Sequence, residues 1–238
     1  MMKKRLIRED RAVVVAADVK SIVELQNLLD GTYNVKGIGA YKIGALLGLT
    51  CGLAEIVDVV EQWTARPVIY DHQKAATDIP PLGKDFAEVL ASAGVKGVIL
   101  FPFGGASTEK AWITACQDKG LTVLVGGHMT QEQFLESEGG FIADDAPEKM
   151  YSIAAEMGVE DFVVPGNKIE FVQIYKSLLD DKLGEGNYAL FAPGFIAQGG
   201  VITDYAQAAG PVWRAIVGSA IYATRDIHKA AEEITANL

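Results

Sequence analysis

The chain has 238 residues, half of them hydrophobic, enough to bury a full-sized core; 31 acidic against 21 basic residues leave a formal net charge of -10. That charge argues against nucleic acid or an anionic membrane as a partner, since phosphate backbones select basic faces, while a small anion held by a few local cations and backbone N–H groups stays open. Cys51 and Cys116 show no metal-ligand spacing and are too few for a disulfide framework. The basic start, MMKKRLIRED, leads into an apolar run too short for a signal peptide or a membrane span, so a soluble cytoplasmic protein is expected.

In chain order, short apolar runs alternate with stretches of helical spacing. Residues 12–18 (AVVVAAD) are rich in β-branched side chains and predict a buried strand, and 21–29 predict the helix after it. A strand over 37–44 (GIGAYKIG) leads into a helix over 52–63, one over 67–71 (PVIYD) into a helix over 83–94, and one over 97–103 into a helix over 107–120. The fifth strand, 121–127, precedes a helix expected to begin at Gln131. Strands over 161–166, 188–194 and 214–222 precede helices over 169–179, 204–210 and 226–238. No change of composition and no Pro/Ser-rich linker divides these units, so 1–238 reads as one domain.

Fully apolar strands alternating with helices mean a parallel sheet covered by helices, either closed as a (β/α)8 TIM barrel or open and doubly wound. The first strand–helix turn, AADVKSI, has no G-x-G-x-x-G, and about eight units in this length fit the barrel. In a barrel the chemistry gathers at the C-terminal strand ends. Asp18 stands there, as the cap of the next helix or as a site residue, with Ser21 competing for the cap. Lys42 interrupts an apolar strand, and a buried lysine keeps its charge only beside a carboxylate, here Asp71 or Asp18. Tyr41 beside it reads as packing, His72 as a turn residue, Asn167 and Lys168 as turn chemistry, and His228 as surface; His128 sits where a loop should open. The stretch DHQKAATD puts Asp71, Lys74 and Asp78 at the end of the third strand; a helical turn there would align them on one face. Such an array suits a reaction that builds negative charge on carbon beside a proton donor. The glycine-rich PGFIAQGG and the Gly218–Ser219 pair occupy loops that bind phosphate in many barrels, with backbone N–H groups as donors and Gln198 as a further one.

Asp71, Lys74 and Asp78 with the following IP, Asp18, the YKIG around Lys42, and PGFIAQGG together resemble the orotidine 5′-phosphate decarboxylase family over nearly the whole chain, most nearly its compact archaeal type. The resemblance implies a (β/α)8 barrel, active as a homodimer, that converts orotidine monophosphate to uridine monophosphate and CO2 with no cofactor and no metal. By position it implies Asp18 and Lys42 on the ribose hydroxyls, Asp71 against the substrate carboxylate, and Lys74 as proton donor to C6. Asp78 would reach the partner's site. Thr130 would contact the pyrimidine; Gln198, Gly199 and Gly200 would hold the phosphate, with Pro193 and Gly194 at the base of that loop.

Two positions depart from the family pattern. D-x-K-x-x-D is stretched here by one residue on each side of Lys74, and the arginine that usually follows the last strand's glycine is Ser219, with Arg214 or Arg225 as candidate substitutes. Two other readings fit part of the pattern. A sugar-phosphate enzyme of the same suprafamily, such as hexulose-phosphate synthase or keto-gulonate-phosphate decarboxylase, uses an Asp/Lys array with Mg2+; DIP and AQGG favour the pyrimidine nucleotide instead. A non-catalytic nucleotide-binding barrel would show the altered spacing and the lost arginine, and would bind uridine monophosphate without releasing CO2.

Overall fold

A computed structural model describes residues 5–72, 75–194, 208–236 and 238. Eight parallel strands close in chain order into a barrel: β1 (Arg11–Ala17), β2 (Ile38–Gly44), β3 (Val68–Asp71), β4 (Gly97–Leu100), β5 (Thr122–Gly126), β6 (Asp161–Val163), β7 (Ala189–Pro193) and β8 (Trp213–Val217). Around them run α1 (Ile22–Thr32), α2 (Ala45–Cys51), α3 (Leu53–Trp63), α4 (Leu82–Ser92), α5 (Ala106–Asp118), α6 (Ala146–Glu156), α7 (Ile169–Leu183), α8 (Ser219–Tyr222) and α9 (Ile227–Thr235). The (β/α)8 expectation holds. No helix among the described residues is long and apolar enough to cross a membrane.

The period of two along each strand sorts the side chains. Val13, Val15, Tyr41, Ile43 and Tyr70 face the helices in the larger core. Ala12, Val14, Ala16, Ala40, Ile69 and Ile99 fill the barrel interior. Asp18, Lys42 and Asp71 each stand two residues beyond an interior residue, so the alternation that buries the interior carries these charges inward at its C-terminal rim.

Several boundaries differ from the sequence expectation for local reasons. Residues 75–78 form turns and bends rather than a helix, Ala76 has φ 64°, and α4 starts at Leu82, after Pro80 and Pro81. A residue before proline is pushed away from helical angles, so Pro80 and Pro81 hold the preceding backbone out of the helix, and no shared helical face aligns positions 71 and 78. The helix expected at Gln131 begins only at Ala146, with Pro147 in its first turn. Gly139, at φ 87°, and Gly140 stop the short 3-10 turn Glu136–Glu138 before it can propagate. The eighth strand ends at Val217, and residues 219–222 turn into α8 rather than continuing it. Helix α2 is an additional element. Of the helix expected over 204–210, residues 204–207 lie outside the described residues.

Candidate active site

Ser21 caps α1, its hydroxyl accepting from Glu24 N at 3.3 Å, which removes the cap reading of Asp18. Asp18 Oδ1 instead lies 3.2 Å from Lys42 Nζ, and Asp71 Oδ2 lies 3.1 Å from the same nitrogen. The Lys42 side chain is 9% exposed and that of Asp71 7%, so the pair is almost dry, whereas Asp18, at 48%, faces the opening. Burial alone would push the ammonium down; Asp71 and then Asp18 outweigh it, and Lys42 ends above the ordinary lysine value. The lysine is therefore a fixed cation between two strand ends. Tyr41, beside it, points outward and shares a hydrogen bond with Thr32 Oγ1 at 2.9 Å, which is packing as expected.

These three charges open on a cavity of about 280 Å3 whose wall also includes Phe101, Pro193, Gly194, Gly218, Ser219 and Tyr222. Phe101 lies against β5 because Gly126 has no side chain: a Cβ there would sit 2.3 Å from the ring. Gly194 takes φ 85°, a conformation glycine adopts freely, and a Cβ on it would come 3.2 Å from Thr130 Cγ2. Thr130 therefore stands beside Gly194, where β7 ends. Among the described residues no arginine lines this cavity. Gly218 precedes α8, and Ser219 opens it.

The remaining candidates divide. Lys74, Gln198, Gly199 and Gly200 lie outside the described residues. Asp78 is exposed, its Oδ1 accepting from its own neighbour Ile79 N at 2.7 Å, and it does not line the cavity. Arg214 is not a phosphate arginine. It is buried at the N-terminal end of β8, donating to the carbonyls of Asp10, Trp213 and Ile7, and closes the opposite mouth of the barrel. Arg225 is exposed after α8 and does not line the cavity. His72 is the hydrogen-bonded turn residue expected, 2.6 Å from the Tyr70 hydroxyl, and His228 is exposed on α9. His128 does not open into a loop: it is 1% exposed, and burial, then Lys168, hold it down at about 4.

Lys168 exceeds its turn reading, pairing with Glu138 at 2.7 Å. Phe101 and Tyr222 were not legible as cavity residues. In the sequence Phe101 is one more apolar strand residue, and Tyr222 falls within the expected strand over 214–222, which ends at Val217 in the structure.

No family model matches the chain. It is 30% identical over 233 residues, 96% of this chain and 95% of the relative, to an orotidine 5′-phosphate decarboxylase of Methanosarcina mazei. A protein of the same name from Methanococcus maripaludis is 25% identical over 233 residues, covering 98% of this chain and 94% of the relative. Among solved structures, the orotidine 5′-monophosphate decarboxylase of Methanocaldococcus jannaschii complexed with inhibitor BMP superposes with a TM-score of 0.81 at 23% identity, over 96% of this chain and 98% of that one. The orotidine 5′-phosphate decarboxylase of Pyrococcus horikoshii gives 0.78 at 24%, over 94% and 98%. These two structural matches speak for the fold.

Proposed function

The chain belongs to the orotidine 5′-phosphate decarboxylase family, and from that premise we propose how its own residues carry out the decarboxylation of orotidine 5′-monophosphate. The observation that carries the assignment is Lys42, held 3.1 Å from Asp71 and 3.2 Å from Asp18 on the inner rim of adjacent strands.

A nucleotide in the cavity meets Asp18 and Lys42 with its ribose hydroxyls. Its carboxylate is set beside Asp71, whose like charge is relieved when CO2 departs. The C6–carboxylate bond breaks with its electron pair left on C6, and the Lys74 ammonium stabilises that charge and delivers the proton, to be reprotonated by solvent. Thr130 takes the pyrimidine. Gly218, Ser219 and the segment from Gln198 to Gly200 take the phosphate through backbone N–H groups and neutral side chains.

We further read the active form as a homodimer in which Asp78 completes the partner's site. Supporting this, Asp78 is exposed and does not line its own cavity, and apolar Ile79 (60% exposed) and Leu82 (40%) lie beside it, with Leu46 and Leu49 exposed on α2 after the neighbouring strand.

The test is the loss of orotidine monophosphate absorbance on adding the purified chain with EDTA present. Conversion at an enzymatic rate is expected. Activity only with Mg2+ and a sugar phosphate would replace this reading with the suprafamily alternative, and tight uridine monophosphate binding without CO2 release would make the chain a binding protein.

A further inference from the structure

Asn167 and Lys168 form the turn between β6 and α7, and both reach back onto the connection between β5 and α6 that carries Thr130. Asn167 Nδ2 donates to the Thr130 carbonyl at 2.9 Å. Lys168 Nζ lies 2.7 and 2.9 Å from the two Glu138 oxygens and 3.0 Å from His128 Nε2. An ammonium has only protons to give, so Nε2 accepts; the imidazole proton is then on Nδ1, which donates to the Tyr175 hydroxyl at 2.7 Å. Thr130 is thereby gripped directly by Asn167, while the residue two before it and the turn eight after it are fixed by Lys168.

The grip on Thr130 is one-sided. Asn167 Oδ1 is buried and accepts no hydrogen bond among the described residues. It lies 3.7 Å from where a Gly194 Cβ would be, just beyond the end of β7. A buried amide oxygen left without a donor works against folding, and such groups concentrate where geometry matters more than stability. An apolar side chain would fill this turn without that penalty, but could not hold the Thr130 carbonyl.

We propose that Asn167 is a positioning residue of the reaction, acting through Thr130: it sets the backbone from which the Thr130 hydroxyl meets the pyrimidine. This rests on the reading of the cavity as a nucleotide site. The test is a double-mutant cycle on orotidine monophosphate decarboxylation with Thr130→Ala, Asn167→Ala and both together, alongside Asn167→Asp. Each single alanine variant is expected to lower kcat/KM by about tenfold, mostly through kcat, and the double variant to fall no more than about twofold below Thr130→Ala. Asn167→Asp, which sets an anion against the Thr130 carbonyl, is expected to lose activity at neutral pH and regain it as the pH drops and the acid can donate again. Additive losses, near a hundredfold in the double variant, or an Asp variant matching wild type across the pH range, would overturn the positioning role while leaving the decarboxylase reading intact. A wild-type chain that does not turn over the nucleotide would overturn both. Should Asn167→Ala fail to fold, the Asp variant enters the same cycle in its place.

Discussion

Lys42 is the residue on which the site's electrostatics turn, because its nitrogen is shared by a buried carboxylate and a half-exposed one. Lys42→Met keeps the aliphatic stem and removes the charge, leaving Asp71 buried with one cation fewer. We expect kcat/KM to drop by at least about 10²-fold, with a stability loss no larger than about 3–5 kcal/mol; a folded Lys42→Met variant with wild-type kinetics would sink the assignment. The lysine was legible in the sequence because nothing but a paired charge explains it in an otherwise apolar strand. Which of Asp18 and Asp71 it pairs with is not written in the sequence; the fold brings both to its nitrogen. The phosphate end of the cavity allows a gain-of-function experiment, since Ser219 is exposed where the family pattern has arginine. A guanidinium there adds charge-assisted hydrogen bonds of about 1.5–3 kcal/mol. Ser219→Arg should therefore lower KM for orotidine monophosphate by about tenfold or more in steady-state assays, and an unchanged KM would place the phosphate elsewhere.

At the scale of elements, the strands were readable and the connections were not, for a physical reason. A buried parallel strand needs a mostly apolar run, and the eight announce themselves that way, with Lys42 in β2 and Arg214 in β8 as charged interruptions. The connection from β5 to α6 depends instead on single backbone conformations. Gly140 N donates to Leu135 O at 2.7 Å, Glu136 N to Ile142 O at 2.8 Å, and Ile142 N to Phe134 O at 3.2 Å, which folds 134–142 into a closed turn. A Cβ on Gly140 would come within 2.2 Å of the Phe134 carbonyl oxygen, and backbone cannot step aside as a flexible side chain can. Gly140→Ala should therefore cost about 2 kcal/mol or more, loosen the Glu138–Lys168 pair, and lower turnover through Thr130. Thermal melts and kinetics check this together, and an alanine variant matching wild type in both would show the turn to be dispensable. The same dependence on local angles explains why no helical turn aligns the acids after β3: Pro80, Pro81 and the left-handed Ala76 leave Asp71 and Asp78 off a common helical face.

Across the whole molecule, two buried groups shape stability against pH in opposite senses. Burial pushes the Glu109 carboxyl up to about 8, against the opposing pull of Lys110, and its Oε1 has no hydrogen-bond partner among the described residues. Because its folded value lies above its ordinary 4.5, its contribution is whole below that pH and is lost as pH rises toward 8. His128, held near 4 against an ordinary 6.5, contributes above 6.5 and loses that contribution as pH falls. The two oppose each other between 4.5 and 6.5, and from 6.5 to 8 only the Glu109 loss remains. Melting temperature should decline over that upper window in wild type and stay level in Glu109→Gln, whose amide never ionises; parallel curves would contradict the assignment. Neither burial is legible in the sequence: a helical glutamate reads as surface until its neighbours are known, and His128 reads as standing at an opening loop rather than 1% exposed.

Subunit assembly makes the same kind of demand on the Asp78 reading, since one chain alone leaves that carboxylate outside its own cavity. If a site combines Lys74 of one subunit with the partner's Asp78, chains carrying Lys74→Ala and chains carrying Asp78→Ala are each inactive as homodimers. Mixed and refolded together in equal amounts, half of the dimers pair one of each. In every such pair one site carries both lesions and the other carries neither, so roughly a quarter of the wild-type specific activity should return. A site built within one chain returns none, because every site then keeps the lesion of its own subunit. Activity recovered in the mixture thus reports directly on a shared site, and its absence, with heterodimers confirmed by mass, would confine the chemistry to the residues of a single barrel.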